Sequence, residues 1–406
     1  MITSQDLLKS LSQSASLQTQ EEMLEIGRKK GKLYIGIPNE NSFQENRVAL
    51  VPTSVAFLCS NGHRVVIEKG AGLACKFSDT AYSEAGAEIA DGVQEVYKAD
   101  IVLKIEPPTL KEVELMQHKQ TLISALQLTV QPKDLIKKLM AKRITAIAWD
   151  YVKDQEGILP IVRCMGEIAG NTSILIAAEY LSNANNGMGQ MLGGMSGVAP
   201  SEVVIIGAGT VGEFAAQSAL GLGAQVKIFD NSTYRLRRMQ NSIGRRMYTS
   251  TLQPEVLKQA LKTADVAIGA MRSVDGRTPC VVTEEMVEAM KDGSVIVDVS
   301  IDQGGCFDTS EVTSHKKPTY TKYGVIHYCV PNIASRVSRT ASTALSNIFA
   351  PILIDTGEEG GIAKMIKKYS GVRAGVYIYN GTLTNQYMGE SFGIPYKDLG
   401  LLMAAF

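Results

Sequence analysis

The chain carries no excess of either charge: 41 Lys and Arg stand against 41 Asp and Glu in 406 residues. A balanced chain lacks the electrostatic footprint of a nucleic-acid binder or of a protein drawn to an acidic membrane surface. The densest basic cluster is RLRR at 235–238. Metal-type cysteine spacing is missing too. The six cysteines (Cys59, Cys75, Cys164, Cys280, Cys306, Cys329) form no CxxC, and none has a histidine at zinc-ligand spacing, so no metal site is expected. Scattered thiols in a chain this long point to a reducing compartment. The opening MITSQDLLKSLSQSASLQTQEE has no apolar leader core, and no run of 18 apolar residues occurs. A cytoplasmic protein without direct membrane insertion is expected.

What is present suits a large folded core. Hydrophobic residues make up 45% and charged residues 20%, and the length fits two or three domains. Residues 3–30 read as one or two helices. KLYIGIP (32–38), RVVIEKG (64–70), ADIVLKIE (99–106), QTLISAL (120–126) and ITAIAWD (144–150) read as strands, with helical patterns between them. A long helical stretch follows at about 164–185, then a Gly- and Met-rich loop at 187–200. A second strand set comes next: EVVIIG (202–207), QVKIFD (225–230), VAIGAM (266–271), SVIVDVS (294–300) and VIHYCV (325–330). From about 340 the pattern is helical. Alternating strand and helix predicts an α/β fold with parallel sheets, in two domains.

The most specific stretch is EVVIIGAGTVGEFAAQSALGLGAQVKIFD, 202–230. It sets a strand, Gly207-Ala208-Gly209-Thr210-Val211-Gly212, an apolar helix, a second strand and Asp230 in the order a dinucleotide site requires. Gly207 makes the tight turn, Gly209 lets backbone approach a pyrophosphate, and Gly212 lets the helix pack on the strand. Asp230 stands where a carboxylate accepts the adenosine ribose hydroxyls and repels a 2′-phosphate, which selects NAD. Arg235, Arg237 and Arg238 follow closely, and they keep NADP open. Later strand ends line the same crevice in such sheets, so Asp298, Asp302 and Asn332 are candidates to border the nicotinamide. His327, in VIHYCV, is the outside candidate for a proton-carrying histidine.

ADIVLKIEPPT (99–109) poses a separate question. On a strand, Lys104 and Glu106 point to one face. An amine and a carboxylate side by side at a strand end read either as a solvated ion pair or as an active site.

Taken together, these stretches resemble alanine dehydrogenase and the NAD-binding subunit of proton-translocating transhydrogenase, with lysine-forming saccharopine dehydrogenase more distant. The resemblance runs through GIPNENSFQENRVALVP (36–52), GHRVVIEKGAG (62–72), MGEIAG (165–170), GAGTVG, VTEEMVEAMKDGSVIVDVSIDQGGCF (282–307) and YCVPNIASRVSRTAS (328–342). IDQGGCF fits the alanine dehydrogenase branch, whereas NIASRV leans toward the transhydrogenase branch. The resemblance implies two Rossmann-like domains with a cleft between them. A substrate domain of 32–160 would be completed by 338–406, including a helical VYIYNGTLTNQYMGESFGIP. An NAD domain would span 161–337, and residues 1–31 would form a helical extension. It also implies a homo-oligomer, dimer or hexamer.

By the same resemblance, Arg47 binds the substrate carboxylate and Asp302 stands by the nicotinamide. The family's K-x-K-E-P lysine and L-H-L histidine have different residues here. Lys104 matches the first lysine, Glu106 falls at the catalytic lysine and Gln127 at the histidine. Asn171 stands where relatives often carry arginine. Three functions follow as expectations. The first is an NAD-dependent dehydrogenase for alanine or a related amino acid, with Arg47, Glu106, Gln127 and Asp302 in the site. The others are an NAD(H)-binding transhydrogenase-type subunit and a non-catalytic NAD(H)-binding protein.

Overall fold

The computed structural model describes residues 31–40, 44–126, 131–273 and 277–404. The expected N-terminal helices and Gln127 lie outside them. The described residues divide into two compact units: those up to 39, within 48–158 and from 345 onward form one, and those within 40–47 and 159–344 form the other.

The first unit is built on an eight-stranded sheet of order β15-β14-β6-β5-β4-β1-β2-β3. Its strands are β1 (34–37), β2 (64–68), β3 (88–90), β4 (101–103), β5 (121–124), β6 (145–148), β14 (376–379) and β15 (382–383). Strands β1 to β6 run parallel, because each is followed by a helix that returns the chain across the sheet. β14 pairs antiparallel with β6, and β15 antiparallel with β14. Here the expectation of a purely helical C-terminal segment is corrected. VYIY alternates Tyr and β-branched residues, and its Val376, Tyr377 and Ile378 are buried against β6 and the helices. Edge pairing decided the conformation.

ADIVLKIE is corrected as well. β4 stops at Leu103, and Ile105–Glu106 form a bend. Two prolines at 107–108 disfavour continuation of the ladder. The two-residue period therefore does not carry through Lys104 and Glu106.

The second unit holds a seven-stranded sheet of order β12-β13-β11-β10-β7-β8-β9. Its strands are β7 (202–206), β8 (225–229), β9 (248–250), β10 (266–269), β11 (295–298), β12 (319–322) and β13 (325–328), and only β12 runs antiparallel. The short strands β3, β9 and β12 have weak sequence signals and owe their form to neighbours. Alternation sorts the sheet's two cores. Val203, Ile205, Val226, Ile228, Val266 and Ile268 face one cluster, which also contains Ile174, Ala177 and Leu181. Val204, Ile206, Phe229, Ala267 and Ile296 face the other, with Leu257 and Leu261. A run apolar on both faces is what a strand covered by helices on each side demands.

The helix Pro160–Leu181 is long and apolar enough to cross a bilayer by composition. In this fold it packs against the helix Thr210–Gly221. A Cβ at Gly170 would lie 2.4 Å from the Val211 carbonyl oxygen, so only glycine permits so close a crossing. Asn171 fastens the same pair: its side chain donates to Glu167 O at 2.9 Å and accepts from Ser218 Oγ.

Candidate functional site

Open α/β sheets bind ligands beyond strand carboxyl ends where the strand order reverses. In the second unit that point lies between β7 and β10. Gly207 closes β7 with φ +115°, and a Cβ there would lie 2.4 Å from Ala270 O at the end of β10. Gly212 is equally constrained, since its Cβ would stand 1.9 Å from Gly207 O. Gly209 differs: nothing lies within 4 Å of the Cβ it lacks. That open cradle sits at the start of the twelve-residue helix Thr210–Gly221, where unpaired N–H groups and the helix dipole favour an anion. Thr210 opens the helix, and Val211 packs inward on the core.

Asp230 sits at the end of β8, largely buried. Its Oδ2 accepts the Ala208 N–H at 2.8 Å and its Oδ1 the Ser232 N–H at 2.7 Å. The carboxylate thus fixes the glycine loop, and each oxygen retains a lone pair for a ribose hydroxyl. Arg235 is half exposed, with Nη1 3.8 Å from Asp230 Oδ2. Arg238 turns to Glu213 at 3.4 Å, and Arg237 is exposed. A fixed carboxylate at the ribose position and an arginine committed elsewhere fit NAD.

The later strand ends separate two aspartates. Asp298, ending β11, is 1% exposed. It accepts the Ser300 and Cys306 N–H groups, each at 3.0 Å, and the Ser310 hydroxyl at 2.7 Å. Burial raises its carboxyl above the ordinary range, and it organises the loop after β11 as a structural acid. Asp302, in the short helix 299–303, is exposed to water. Protein packed around it still raises its carboxyl, against the pull of the Asn332 N–H and the Arg47 charge. The Asn332 N–H reaches Asp302 Oδ1 at 2.8 Å, with Asn332 in the left-handed region at φ +56°.

Asn332 also joins Asp302 to Arg47. Its side-chain amide donates to Glu45 Oε2 at 2.7 Å. Glu45 in turn grips Arg47 with both oxygens: Nε to Oε1 at 2.8 Å and Nη2 to Oε2 at 2.6 Å. The Arg47 backbone N–H adds a third bond to Oε1 at 2.8 Å, and Nη1 meets Met165 Sδ at 3.3 Å. Both charged side chains are buried. Residues 40–47, with Arg47, group with the second unit, and Asn332, Asp302 and Arg47 form one bonded chain there. Glu45 is the residue that sequence reasoning missed. Its signal was the E-x-R spacing, since an acid two residues before an arginine in extended backbone shares its side.

At the end of β4 in the first unit, Lys104 is 2% exposed, and its ammonium donates to Glu112 Oε1 at 2.9 Å. Glu112 belongs to a capping box: Oε2 takes the Thr109 N–H at 2.7 Å, and Thr109 Oγ1 takes the Glu112 N–H at 3.2 Å. Burial works to raise the Glu112 carboxyl, and the Lys104 charge and hydrogen bond with the Thr109 groups hold it below its ordinary value. Trp149 Nε1 ties down the same turn by donating to Lys104 O at 3.2 Å and Ile105 O at 3.1 Å. Glu106 is half-buried on the bend. Lys104 therefore faces inward, committed to a helix glutamate. The T-x-x-E spacing of TLKE signals the capping box, and the fold then brings its glutamate to Lys104.

Three of the four histidines have structural or surface places. His63 accepts the Leu33 N–H at Nδ1, 3.2 Å. His118 is exposed. His327, the outside candidate, is fully buried: Nδ1 contacts Val325 O at 3.0 Å, Nε2 contacts Thr309 Oγ1 at 2.8 Å, and the ring stacks on Tyr320. Burial lowers its pKa, so it stays neutral in the sheet. A cavity of about 320 Å³ in the first unit, lined by Lys32, Lys98, His118 and Lys119, opens at strand amino ends. It is the edge where the strand-end rule places no reaction. No metal-competent cluster occurs among the described residues.

The family models described as alanine dehydrogenase/PNT, N-terminal domain and C-terminal domain match residues 36–169 and 173–386. An alanine dehydrogenase of Methanococcus maripaludis is 40% identical over 366 residues, 90% of this chain and 98% of that protein. A solved L-alanine dehydrogenase aligns with a TM-score of 0.83 at 38% identity, covering 88% of this chain and 99% of that one. A transhydrogenase from Sinorhizobium meliloti shares the fold, with a TM-score of 0.75 at 22% identity over 87% of this chain and 99% of that one.

Proposed function

Because the chain belongs to the alanine dehydrogenase/PNT family and is an NAD-dependent oxidoreductase resembling alanine dehydrogenase, we propose that it interconverts an L-amino acid and its 2-oxo acid. L-alanine and pyruvate are the reference pair: alanine, water and NAD⁺ give pyruvate, ammonium, NADH and a proton. NAD⁺, held at the glycine loop and Asp230, would supply the acceptor for the hydride leaving the substrate Cα. Everything else falls to side chains. Arg47 holds the substrate carboxylate, and Glu106 serves as the base that takes the proton from the ammonium and activates water. Gln127 donates a hydrogen bond to the developing carbonyl, and Asp302 borders the nicotinamide. The unit containing 159–344 acts as the NAD domain and the other as the substrate domain, in a cytoplasmic homo-oligomer.

The observation that supports this reading best is the bonded chain Asp302–Asn332–Glu45–Arg47, in the unit that carries the dinucleotide loop. One residue set favours a second reading. Lys104 is buried and paired with Glu112, an arrangement that suits an NAD(H)-binding protein without turnover or a transhydrogenase-type subunit. The test is NADH formation by purified protein across L-amino acids, beside NADH oxidation with 2-oxo acids and ammonium. Turnover with a loss of about 10²-fold or more in Glu106→Gln is expected for a working base. NADH binding with silence across the panel would replace this reading with the second.

A further inference from the structure

Arg47 is read above as the anchor of the substrate carboxylate, and the following rests on that reading. A guanidinium pairs with a carboxylate in its own plane, so the plane in which it is held decides how a carboxylate can bind. The Nε–Nη2 edge is occupied by Glu45, with bonds of 2.8 and 2.6 Å between two buried side chains. Glu45 is itself held from two other directions. The Arg47 backbone N–H binds Oε1, and the Asn332 amide binds Oε2. Neighbouring residues strap the segment down. Gln44 Oε1 accepts the His315 N–H at 2.8 Å, and the Asn46 N–H donates to Ser335 Oγ at 2.8 Å.

We propose that Glu45 is a positioning residue: it fixes the plane of the Arg47 guanidinium in the orientation that receives the substrate carboxylate. Through Asn332 it sets the guanidinium in register with Asp302. Two opposing effects of the Glu45 charge make the idea testable by sign. As a mere counter-charge, Glu45 would repel a carboxylate, and its removal would tighten anion binding. As an orienting group, its removal lets the guanidinium rotate, and anion binding weakens.

The experiment is calorimetric titration of oxamate, an unreactive carboxylate probe shaped like pyruvate, into the NADH-loaded full-length protein. Wild type is compared with Glu45→Gln, Glu45→Asp and Arg47→Lys. The expected result is about a tenfold weaker oxamate Kd for Glu45→Gln, the size of one lost charge-assisted bond. NADH affinity should stay within about twofold. Glu45→Asp, which keeps the charged acceptor, should fall between Glu45→Gln and wild type. Oxamate bound by Glu45→Gln as tightly as by wild type, or more tightly, overturns the proposal. So does Glu45→Asp binding as weakly as Glu45→Gln, which would mark a packing role alone. If Arg47→Lys leaves oxamate binding unchanged, the anchor reading itself falls. If Arg47→Lys weakens binding and Glu45→Gln does not, only the positioning role falls.

Discussion

Two strand ends in this chain have opposite logic. After β7, the backbone makes the site: three glycines, a helix start and one carboxylate that accepts the loop's Ala208 N–H. After β4, side chains make it. The strand stops early, the lysine turns inward to a helix glutamate, and the chain bends at Glu106. A site made of backbone leaves few residue choices, because Gly207 and Gly212 answer steric demands within the protein and Gly209 keeps the cradle open. A site made of side chains can exchange its chemistry while the scaffold stays.

The sharpest way to break the contrast is Gly212→Ala. Its Cβ would stand 1.9 Å from a backbone oxygen, and backbone cannot yield as a flexible side chain does. Loss of folding or more than about a hundredfold loss of NADH affinity is expected by fluorescence titration. A normal variant would show that the loop is softer than its contacts imply. Lys104→Met comes next. It leaves a largely buried carboxylate without its cation, and a cost of about 3 kcal/mol is expected in denaturant unfolding. The double variant Lys104→Met/Glu112→Gln should recover most of that loss, because the unpaired charge goes too. An additive double would show that the pair is not coupled.

Gly209→Ala should have a smaller and more selective effect. Its Cβ meets nothing within 4 Å in the protein, so the cofactor-free melting temperature should hold while NADH affinity falls about tenfold. A drop in melting temperature with unchanged affinity would place the ligand elsewhere. The smallest effect concerns pH. The folded-state pKa of Glu112 lies below its ordinary 4.5. Its stabilising share is therefore present above pH 4.5 and is lost as the pH falls through the lower folded value. Glu112→Gln should flatten the acid limb of the stability profile there and leave its slope at neutral pH unchanged. An unaltered acid limb would assign that dependence to other carboxylates.

Much of this was legible in the residues. The α/β class followed from alternating periods, and the dinucleotide loop from glycines whose spacing has a single steric solution. VYIY was misjudged because a short β-prone segment among helices takes its state from the strand it finds, here β6. Lys104 and Glu106 were read as strand neighbours because the period of two holds only while the ladder continues. Glu45 escaped notice because it draws its meaning from Asn332, far along the chain.

The sequence by itself determined the dinucleotide loop and the parallel sheets, since these are properties of local pattern and residue type. Only the tertiary structure decided that Arg47 is gripped by Glu45, that Lys104 belongs to Glu112, and that His327 is sealed beside Tyr320. Those facts depend on which groups burial brings together. A buried charge or imidazole must find its partners, and while spacing can nominate a near neighbour such as Glu45, it says nothing of Asn332 or Thr309, which the fold brings in from far along the chain.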